Sequence, residues 1–91
     1  MAIVRTVVIT NPLGLHARPA ALFVQAANRY PCDVHVNRED IRVSGKSIMG
    51  VMMLAAEQGA EITIEVDGSD EEACLAALLE LVTGGFEELE T

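Results

Sequence analysis

Aromatic residues are nearly absent from this sequence. Its 91 residues include no tryptophan, one tyrosine and two phenylalanines, so aromatic side chains make up 3% of a chain that is 51% hydrophobic. The core must therefore be packed mainly by Val, Ile, Leu, Ala and Met. Proteins that bind single-stranded nucleic acids stack bases on aromatic rings. The shortage of rings argues against this class of function.

Basic residues are missing from the second half of the chain. Residues 1–46 hold six basic and three acidic residues, whereas residues 47–91 hold eleven acidic residues and no Lys or Arg, which leaves a net charge of −8. A net negative charge disfavours binding to nucleic acid. The asymmetry is typical of a protein that docks through one face, although solvated acidic helices give the same pattern.

The sequence also lacks a long apolar run, a signal peptide and a metal-binding cysteine motif. No segment approaches the roughly 18 apolar residues that a membrane span requires, and Cys32 and Cys74 have no metal-like spacing. Two cysteines without a signal peptide are typical of reduced, buried thiols. We therefore expect a cytoplasmic protein without membrane association or a metal site.

The length limits the organisation of the chain. Ninety-one residues predict one domain over residues 1–91, with a single core and no large internal cleft. Any chemistry would then lie on the surface and be completed by a partner. Nothing in the sequence requires an oligomer, so we expect a monomer.

Hydrophobic periodicity predicts seven elements in the order β-α-β-β-α-β-α. Strand-like alternation covers residues 3–10, 32–37, 41–43 and 61–67, and helical spacing covers residues 17–29 and 47–56, with Ala20, Phe23, Val24 and Ala27 on the buried face of the first helix. Ser69 and Glu72 resemble a capping box that begins a last helix. Such a chain folds as an α+β protein with one sheet covered by helices on one face. Residues 87–91 form an acidic tail.

One short motif joins the first strand to the first helix: residues 14–20, Gly-Leu-His-Ala-Arg-Pro-Ala. It places His16 where a loop becomes a helix. The first backbone amides of a helix lack intrahelical acceptors and favour anions, a phosphoryl group among them. We therefore predict phosphate binding by the amides of Ala17 and Arg18, with the Arg18 guanidinium as a further donor. A histidine here is, on its own, commonly a cap or a solvated side chain.

The whole motif resembles the active-site signature of HPr, the histidine phosphocarrier family of the bacterial phosphoenolpyruvate-dependent phosphotransferase system (PTS). A second motif, Lys-Ser-Ile-Met-Gly-Val-Met at residues 46–52, resembles the regulatory serine region of this family. The resemblance covers essentially the whole chain. It implies an open-faced β-sandwich in which three helices cover one face of a four-stranded antiparallel sheet of order 1-4-2-3.

The resemblance also implies a covalent phosphoryl relay that is not itself an enzyme and needs no cofactor. His16 would accept a phosphoryl group on Nδ1 from phosphorylated enzyme I and pass it to a IIA domain. Arg18 would neutralise the charge of the phosphoryl group.

Ser47 is predicted to be the N-cap of the second helix, and the resemblance implies that it is also a regulatory phosphosite. A phosphate there would face helix amides. The implied partners are then an HPr kinase/phosphorylase and a transcriptional regulator.

A partner interface is predicted around these two sites. Val51 and Leu54 occupy the buried face of the second helix, so the remaining apolar side chains of that helix should be exposed and available to several partners. The predicted interface consists of Leu15, Ala20, Ile48, Met49 and Met52.

Two other functions stay open at this point. The chain could be a regulatory HPr paralogue that acts mainly by binding partners, because residues 84–88 resemble nitrogen-branch paralogues while residues 47–50 resemble kinase-regulated carriers. It could also be a small metal- or protein-binding module without phosphoryl chemistry. The presence of His16 favours the relay, and a zinc titration would test the metal-binding module.

Overall fold

A computed structural model describes residues 2–87 of the chain. The elements follow one another as β1 (Ile3–Val8), α1 (Ala17–Ala27), β2 (Asp33–Arg38), β3 (Ile41–Ser44), α2 (Ile48–Met53), β4 (Glu61–Asp67), α3 (Glu71–Thr83) and a short 3₁₀ turn (Gly85–Glu87). The predicted order β-α-β-β-α-β-α is confirmed. Residues 88–91 of the predicted acidic tail lie outside the described residues.

The four strands form one antiparallel sheet in the order β1-β4-β2-β3. The central strand β4 pairs with β1, where Val7 lies opposite Ile62, and with β2, where Val36 lies opposite Ile64. The hairpin of β2 and β3 completes the sheet. The predicted strand order 1-4-2-3 is therefore confirmed.

The two faces of the sheet have different environments. Alternate residues of the central strands are buried beneath the helices, among them Val36, Ile62 and Ile64. The opposite face is open to solvent: the Thr6 and Thr63 hydroxyls are 3.1 Å apart there, and Val4 and Val8 are exposed on the same face. His35 belongs to this open face and is only partly buried, as its place between Val34 and Val36 predicts.

The core lies between the sheet and the helices. Each of the longer helices buries one stripe, with Phe23 and Val24 on α1 and Cys74, Leu78 and Val82 on α3. The chain then turns back after α3, so that Phe86 is buried. The two cysteines are reduced and buried in this core, as predicted.

Three helix ends differ from the sequence-based expectation. Helix α1 ends at Ala27, two residues before the predicted end at residue 29. Helix α2 ends at Met53, three residues before the predicted end at residue 56, because Ala55 has a positive φ of 50° that a helix cannot accommodate. The N-cap of α3 is Asp70 instead of Ser69, and Glu71, not Glu72, accepts a hydrogen bond from a backbone amide before the helix, that of Gly68 at 3.0 Å. The Asp70 side chain makes no cap hydrogen bond, so the predicted capping box of Ser69 and Glu72 was wrong.

Two further absences concern the described residues. Within residues 2–87, every helix is too short or too polar to cross a membrane. The same part of the chain contains no cluster of three His, Cys, Asp or Glu side chains that could hold a metal ion.

Candidate functional site

The loop between β1 and α1 is built around the buried side chain of Asn11. Its Nδ2 donates to the carbonyl oxygen of Gly14 at 2.7 Å, and the Gly14 amide donates to the Asn11 carbonyl oxygen at 3.1 Å. The side chain of Asn11 is 1% exposed, so this pairing satisfies polar groups that water does not reach. The loop therefore has a fixed shape where it approaches His16.

Gly14 allows this loop to pack directly on the segment that follows α2. Its φ is +70°, and a Cβ atom here would overlap the carbonyl oxygen of Ala56 and lie 2.9 Å from the Cα of Glu57. The next residue, Leu15, donates its backbone N–H to the Ala56 carbonyl oxygen at 2.9 Å. Two constraints, the left-handed backbone and the close approach, thus require glycine.

His16 is the N-cap residue of α1. Its backbone is extended, with φ −79° and ψ −170°, and its carbonyl oxygen accepts the first helical hydrogen bond from Ala20 at 3.0 Å. The imidazole is partly exposed. The His16 side chain makes no cap hydrogen bond, and the amides that follow it in the first turn, those of Ala17 and Arg18, lack intrahelical acceptors. The helix start can therefore hold an anion next to the ring.

Arg18 and Pro19 complete the first turn of α1. Both Ala17 and Arg18 are exposed, whereas Pro19 is buried. Proline is tolerated here because an N–H in the first turn would have no helical acceptor. The first turn thus offers two backbone donors and a guanidinium to an anion in solution, and no acidic residue lies in it.

Two residues of the predicted partner interface are instead part of the core. Leu15 is 4% exposed and Ala20 is 0% exposed. Ala20 lies on the α1 face that carries Phe23, and Leu15 belongs to the same core cluster. Both residues are close to His16 in the sequence, but their side chains are buried, whereas His16 is partly exposed. The prediction that they contact a partner was therefore wrong.

Ser47 caps α2 as predicted. Its Oγ accepts a hydrogen bond from the Gly50 amide at 3.0 Å, and the Val51 amide donates to its carbonyl oxygen at 3.0 Å. The side chain is partly exposed. The hydroxyl therefore faces the start of a six-residue helix and remains accessible from solvent.

An apolar surface extends over α2. Ile48, Met49 and Met52 are 43%, 73% and 40% exposed, while Val51 is the buried residue of this helix. Sequence reasoning missed Met53, which is 66% exposed and lies four residues after Met49 on the same side of the helix. We call Ile48, Met49, Met52 and Met53 the α2 surface. Helix α2 packs against α1, so this surface and the start of α1 belong to the same layer.

Leu13 is a second exposed apolar residue that the sequence did not reveal. It is 73% exposed and lies in the loop just before His16. The only sequence signal was its position between Pro12 and Gly14, which predicts a turn and thus an outward side chain.

The chain is similar to known proteins over most of its length. Residues 3–84 match the protein-family model described as the PTS HPr component phosphorylation site. The phosphocarrier protein HPr of Treponema pallidum is 50% identical over 86 residues, which cover 94% of this chain and 98% of that protein. The phosphocarrier protein HPr of Pseudomonas aeruginosa is 51% identical over 83 residues, covering 90% and 92%.

Solved structures agree in fold. The crystal structure of HPr-C-His from Thermoanaerobacter tengcongensis matches with a TM-score of 0.91 and 42% identity, over 94% of this chain and 97% of that one. The phosphocarrier protein HPr of Bacillus anthracis matches with a TM-score of 0.85 and 46% identity, over 89% and 96%. With the sheet order and helix arrangement described above, these similarities place the chain in the HPr family, the non-enzymatic phosphocarrier proteins of the PTS.

Proposed function

We propose that His16 is the residue on which this phosphocarrier bears its phosphoryl group, received from enzyme I and passed to a IIA domain. The single observation that carries the assignment is the position of His16 as the N-cap of an eleven-residue helix. The other histidine, His35, lies within β2 on the open face of the sheet and is not a helix N-cap. Only His16 combines an accessible ring with backbone donors for phosphate.

The transfer needs little from the carrier itself. The unprotonated ring nitrogen of His16 supplies the electron pair for the new N–P bond, while the donor's N–P bond breaks and its electron pair returns to the donor imidazole. In the second transfer phosphorylated His16 is the donor: its N–P bond breaks, the electron pair returns to its imidazole, and the acceptor forms the new bond to phosphorus. The phosphoryl oxygens are stabilised by three donor groups: the backbone amides of Ala17 and Arg18 and the Arg18 guanidinium. Phosphoryl transfer depends mostly on such positioning and charge stabilisation, so a surface site suffices.

Ser47 is the proposed site of regulatory phosphorylation by an HPr kinase/phosphorylase. Its partly exposed hydroxyl supports this assignment. A phosphate on Ser47 would add roughly −2 of charge and could accept hydrogen bonds from the amides at the start of α2. The added charge would lie beside the α2 surface and change which partners can dock, without unfolding the helix.

The α2 surface is the proposed docking site for enzyme I, for IIA domains and for a transcriptional regulator. Three of its four residues are flexible methionines, which adapt to differently shaped partners. A regulatory paralogue, of the nitrogen branch or otherwise, would use the same surface mainly for binding and would show little turnover at His16.

An intact-mass experiment tests the assignment. The chain is incubated with phosphoenolpyruvate, Mg²⁺ and enzyme I, alongside the variants His16→Ala and His35→Ala. We expect one added phosphate that is labile in acid in the wild type and in His35→Ala, and none in His16→Ala. The phosphorylated chain should then lose the group to a IIA domain.

The same experiment separates the alternatives. No added phosphate with enzyme I from several sources would overturn the relay at His16 and leave a regulatory binding protein. An acid-stable phosphate that forms with ATP and an HPr kinase, and is absent from Ser47→Ala, would support regulation at Ser47. If Ser47→Ala still acquired that phosphate, the Ser47 assignment would be wrong.

A further inference from the structure

Arg38, the last residue of β2, contacts three residues of the segment that follows α2. Its Nη1 donates to the carbonyl oxygens of Leu54 at 3.1 Å and Ala55 at 2.8 Å, and its Nη2 lies 2.9 Å from Oε1 of Glu57. The Arg38 side chain is only 19% exposed. Its planar, multi-donor guanidinium suits several acceptors at fixed positions.

The segment that Arg38 holds has little support of its own. Helix α2 has six residues, too few for a helix to be stable alone. Its last turn is closed only by the amides of Leu54 and Ala55, which donate to the Val51 and Met52 carbonyl oxygens, and this helix end carries partial negative charge. Ala55 follows at a φ of +50°, where glycine is the usual residue. Arg38 supplies donors to the carbonyls of the two residues that follow the helix, Leu54 and Ala55, and the opposite charge at this helix end.

The opposite side of this segment carries the loop that ends at His16. The Ala56 carbonyl oxygen accepts the Leu15 amide at 2.9 Å. Further along, the Gly59 amide donates to the Ile9 carbonyl oxygen at 2.8 Å, and Gln58 Nε2 donates to the Thr10 carbonyl oxygen at 3.0 Å. These hydrogen bonds join the backbone that leads to His16 to residues 56–59, so a shift of that segment should also shift the His16 loop.

We propose that Arg38 is a positioning residue for phosphoryl transfer: by holding the Leu54 and Ala55 carbonyls it fixes Ala56, and through the Leu15 amide it fixes the residue before His16. The proposal rests on the assignment of His16 as the phosphoryl carrier. Arg38 touches no reacting group, and its effect passes through the backbone alone.

The carbonyl contacts, more than the ion pair, carry this role. Glu57 is 69% exposed, and ion pairs of exposed carboxylates contribute little to stability. The pKa of its carboxyl lies below the usual range, first because of its own backbone N–H and then because of Arg38. Removal of the Glu57 carboxylate should therefore leave the loop in place, whereas removal of Arg38 should release it.

The test compares Arg38→Ala with Arg42→Ala. Arg42 is the matched control because its guanidinium forms an ion pair with Glu65 at 2.7 Å on the open face of the sheet, opposite to the face that the helices cover. The first measurement is amide hydrogen exchange by NMR, which does not depend on phosphoryl transfer. We expect the Leu15 amide to exchange roughly tenfold faster in Arg38→Ala, the effect of losing a charged hydrogen-bond donor, and to be unchanged in Arg42→Ala and Glu57→Gln. The Ile64 amide in the central strand reports global opening and corrects for any loss of stability.

The second measurement is steady-state phosphorylation by enzyme I. We expect kcat to fall roughly tenfold in Arg38→Ala with a smaller change in KM, since a displaced nucleophile still docks but reacts slowly. Arg38→Lys keeps the charge but loses the planar guanidinium with its several donors, so its kcat should lie between those of the wild type and Arg38→Ala. It also replaces Arg38→Ala if that variant does not fold.

Each outcome decides one question. The positioning role would be overturned if the Arg38 variants and Arg42→Ala had equal kcat and equal Leu15 exchange rates after correction for global opening. If the wild type itself gains no phosphate, the assignment of His16 fails, and Leu15 exchange still decides whether Arg38 holds the loop.

Discussion

The Leu15 amide donates a hydrogen bond of 2.9 Å to the Ala56 carbonyl oxygen, and this contact joins the two parts of the chain that carry the proposed chemistry. Leu15 precedes His16 at the start of α1, and Ala56 follows the helix that Ser47 caps. Displacement of the segment after α2 must therefore act on the backbone before His16. The predictions below examine this connection and the groups around it.

Replacement of Gly14 by alanine should damage both stability and transfer. A Cβ atom at this residue would meet the backbone of Ala56 and Glu57, and its φ of +70° disfavours any side chain. We expect a loss of about 2–4 kcal/mol in the free energy of unfolding, from the strained backbone and the overlap together. The measurement is urea unfolding, combined with the rate of His16 phosphorylation.

Gly59→Ala is the control for this variant. Gly59 also has a positive φ, +91°, but a Cβ atom there would have no neighbour within 4 Å. We expect a loss of about 1 kcal/mol and normal phosphorylation at His16, because only the backbone strain applies. Equal losses in the two variants would show that the approach of Gly14 to Ala56 has no energetic consequence.

Arg18→Ala should slow phosphoryl transfer without affecting the fold. Arg18 is exposed in the first turn of α1, so its removal costs little packing. We expect kcat/KM with enzyme I to fall by roughly 100- to 1,000-fold, the usual range for one donor that stabilises transition-state charge. Arg18→Lys should retain part of the rate, because it keeps the charge but not the planar donor pair.

Arg29→Ala removes the same charge just beyond the end of α1 and serves as the control. If it slows transfer as much as Arg18→Ala, then the net positive charge of the region matters and the position of Arg18 does not.

Ser47→Ala should destabilise the chain through the loss of a helix cap. The Ser47 hydroxyl accepts the Gly50 amide at 3.0 Å, and its removal should cost about 1 kcal/mol, or roughly 4–8 °C in Tm. Ser69→Ala is the matched variant, because Ser69 is exposed and is not the N-cap residue of α3, which is Asp70. Thermal unfolding should show no change for Ser69→Ala, and an equal loss at both positions would contradict the observed cap positions.

The strands and helices could be predicted because their side chains alternate or repeat in register with the core. Residues 61–67 show this most clearly: Ile62, Ile64 and Val66 are buried, while Glu61 and Asp67 are exposed. The positions of His16 and Ser47 at helix starts could be predicted for a similar reason. Each residue precedes a helical pattern, and the role of an N-cap residue depends on local backbone geometry.

The contacts between elements could not be predicted in this way. The end of α2 depends on the left-handed conformation of Ala55, and Arg38 at the end of β2 donates to the carbonyl of that residue. Neither feature leaves a local signal, because alanine is a good helix former and arginine at a strand end is ordinarily solvated. The burial of Ala20 was different: its helical spacing with Phe23 already indicated the core, and its closeness to His16 in sequence was a misleading guide.

The buried thiol of Cys74 should make stability fall at alkaline pH. Burial, and contact with the Cys32 thiol, raise the pKa of Cys74 to about 12. A thiol in the unfolded chain ionises near its ordinary pKa of about 8.5. The unfolded state therefore loses a proton that the folded state keeps, and the stabilisation that is complete below about pH 8.5 is progressively lost as the pH rises towards 12.

Urea unfolding at pH 7, 9, 10 and 11 measures this effect, with Cys74→Ser as the comparison because a serine hydroxyl does not ionise in this range. We expect the wild type to lose stability more steeply than Cys74→Ser above pH 9, by up to about 1.4 kcal/mol per pH unit, the slope for one proton. All other side chains are the same in both proteins, so the difference between the two curves reports on Cys74. Parallel curves would mean that the Cys74 thiol ionises as readily in the folded chain as in the unfolded one, and that its burial beside Cys32 does not hold it in the neutral form.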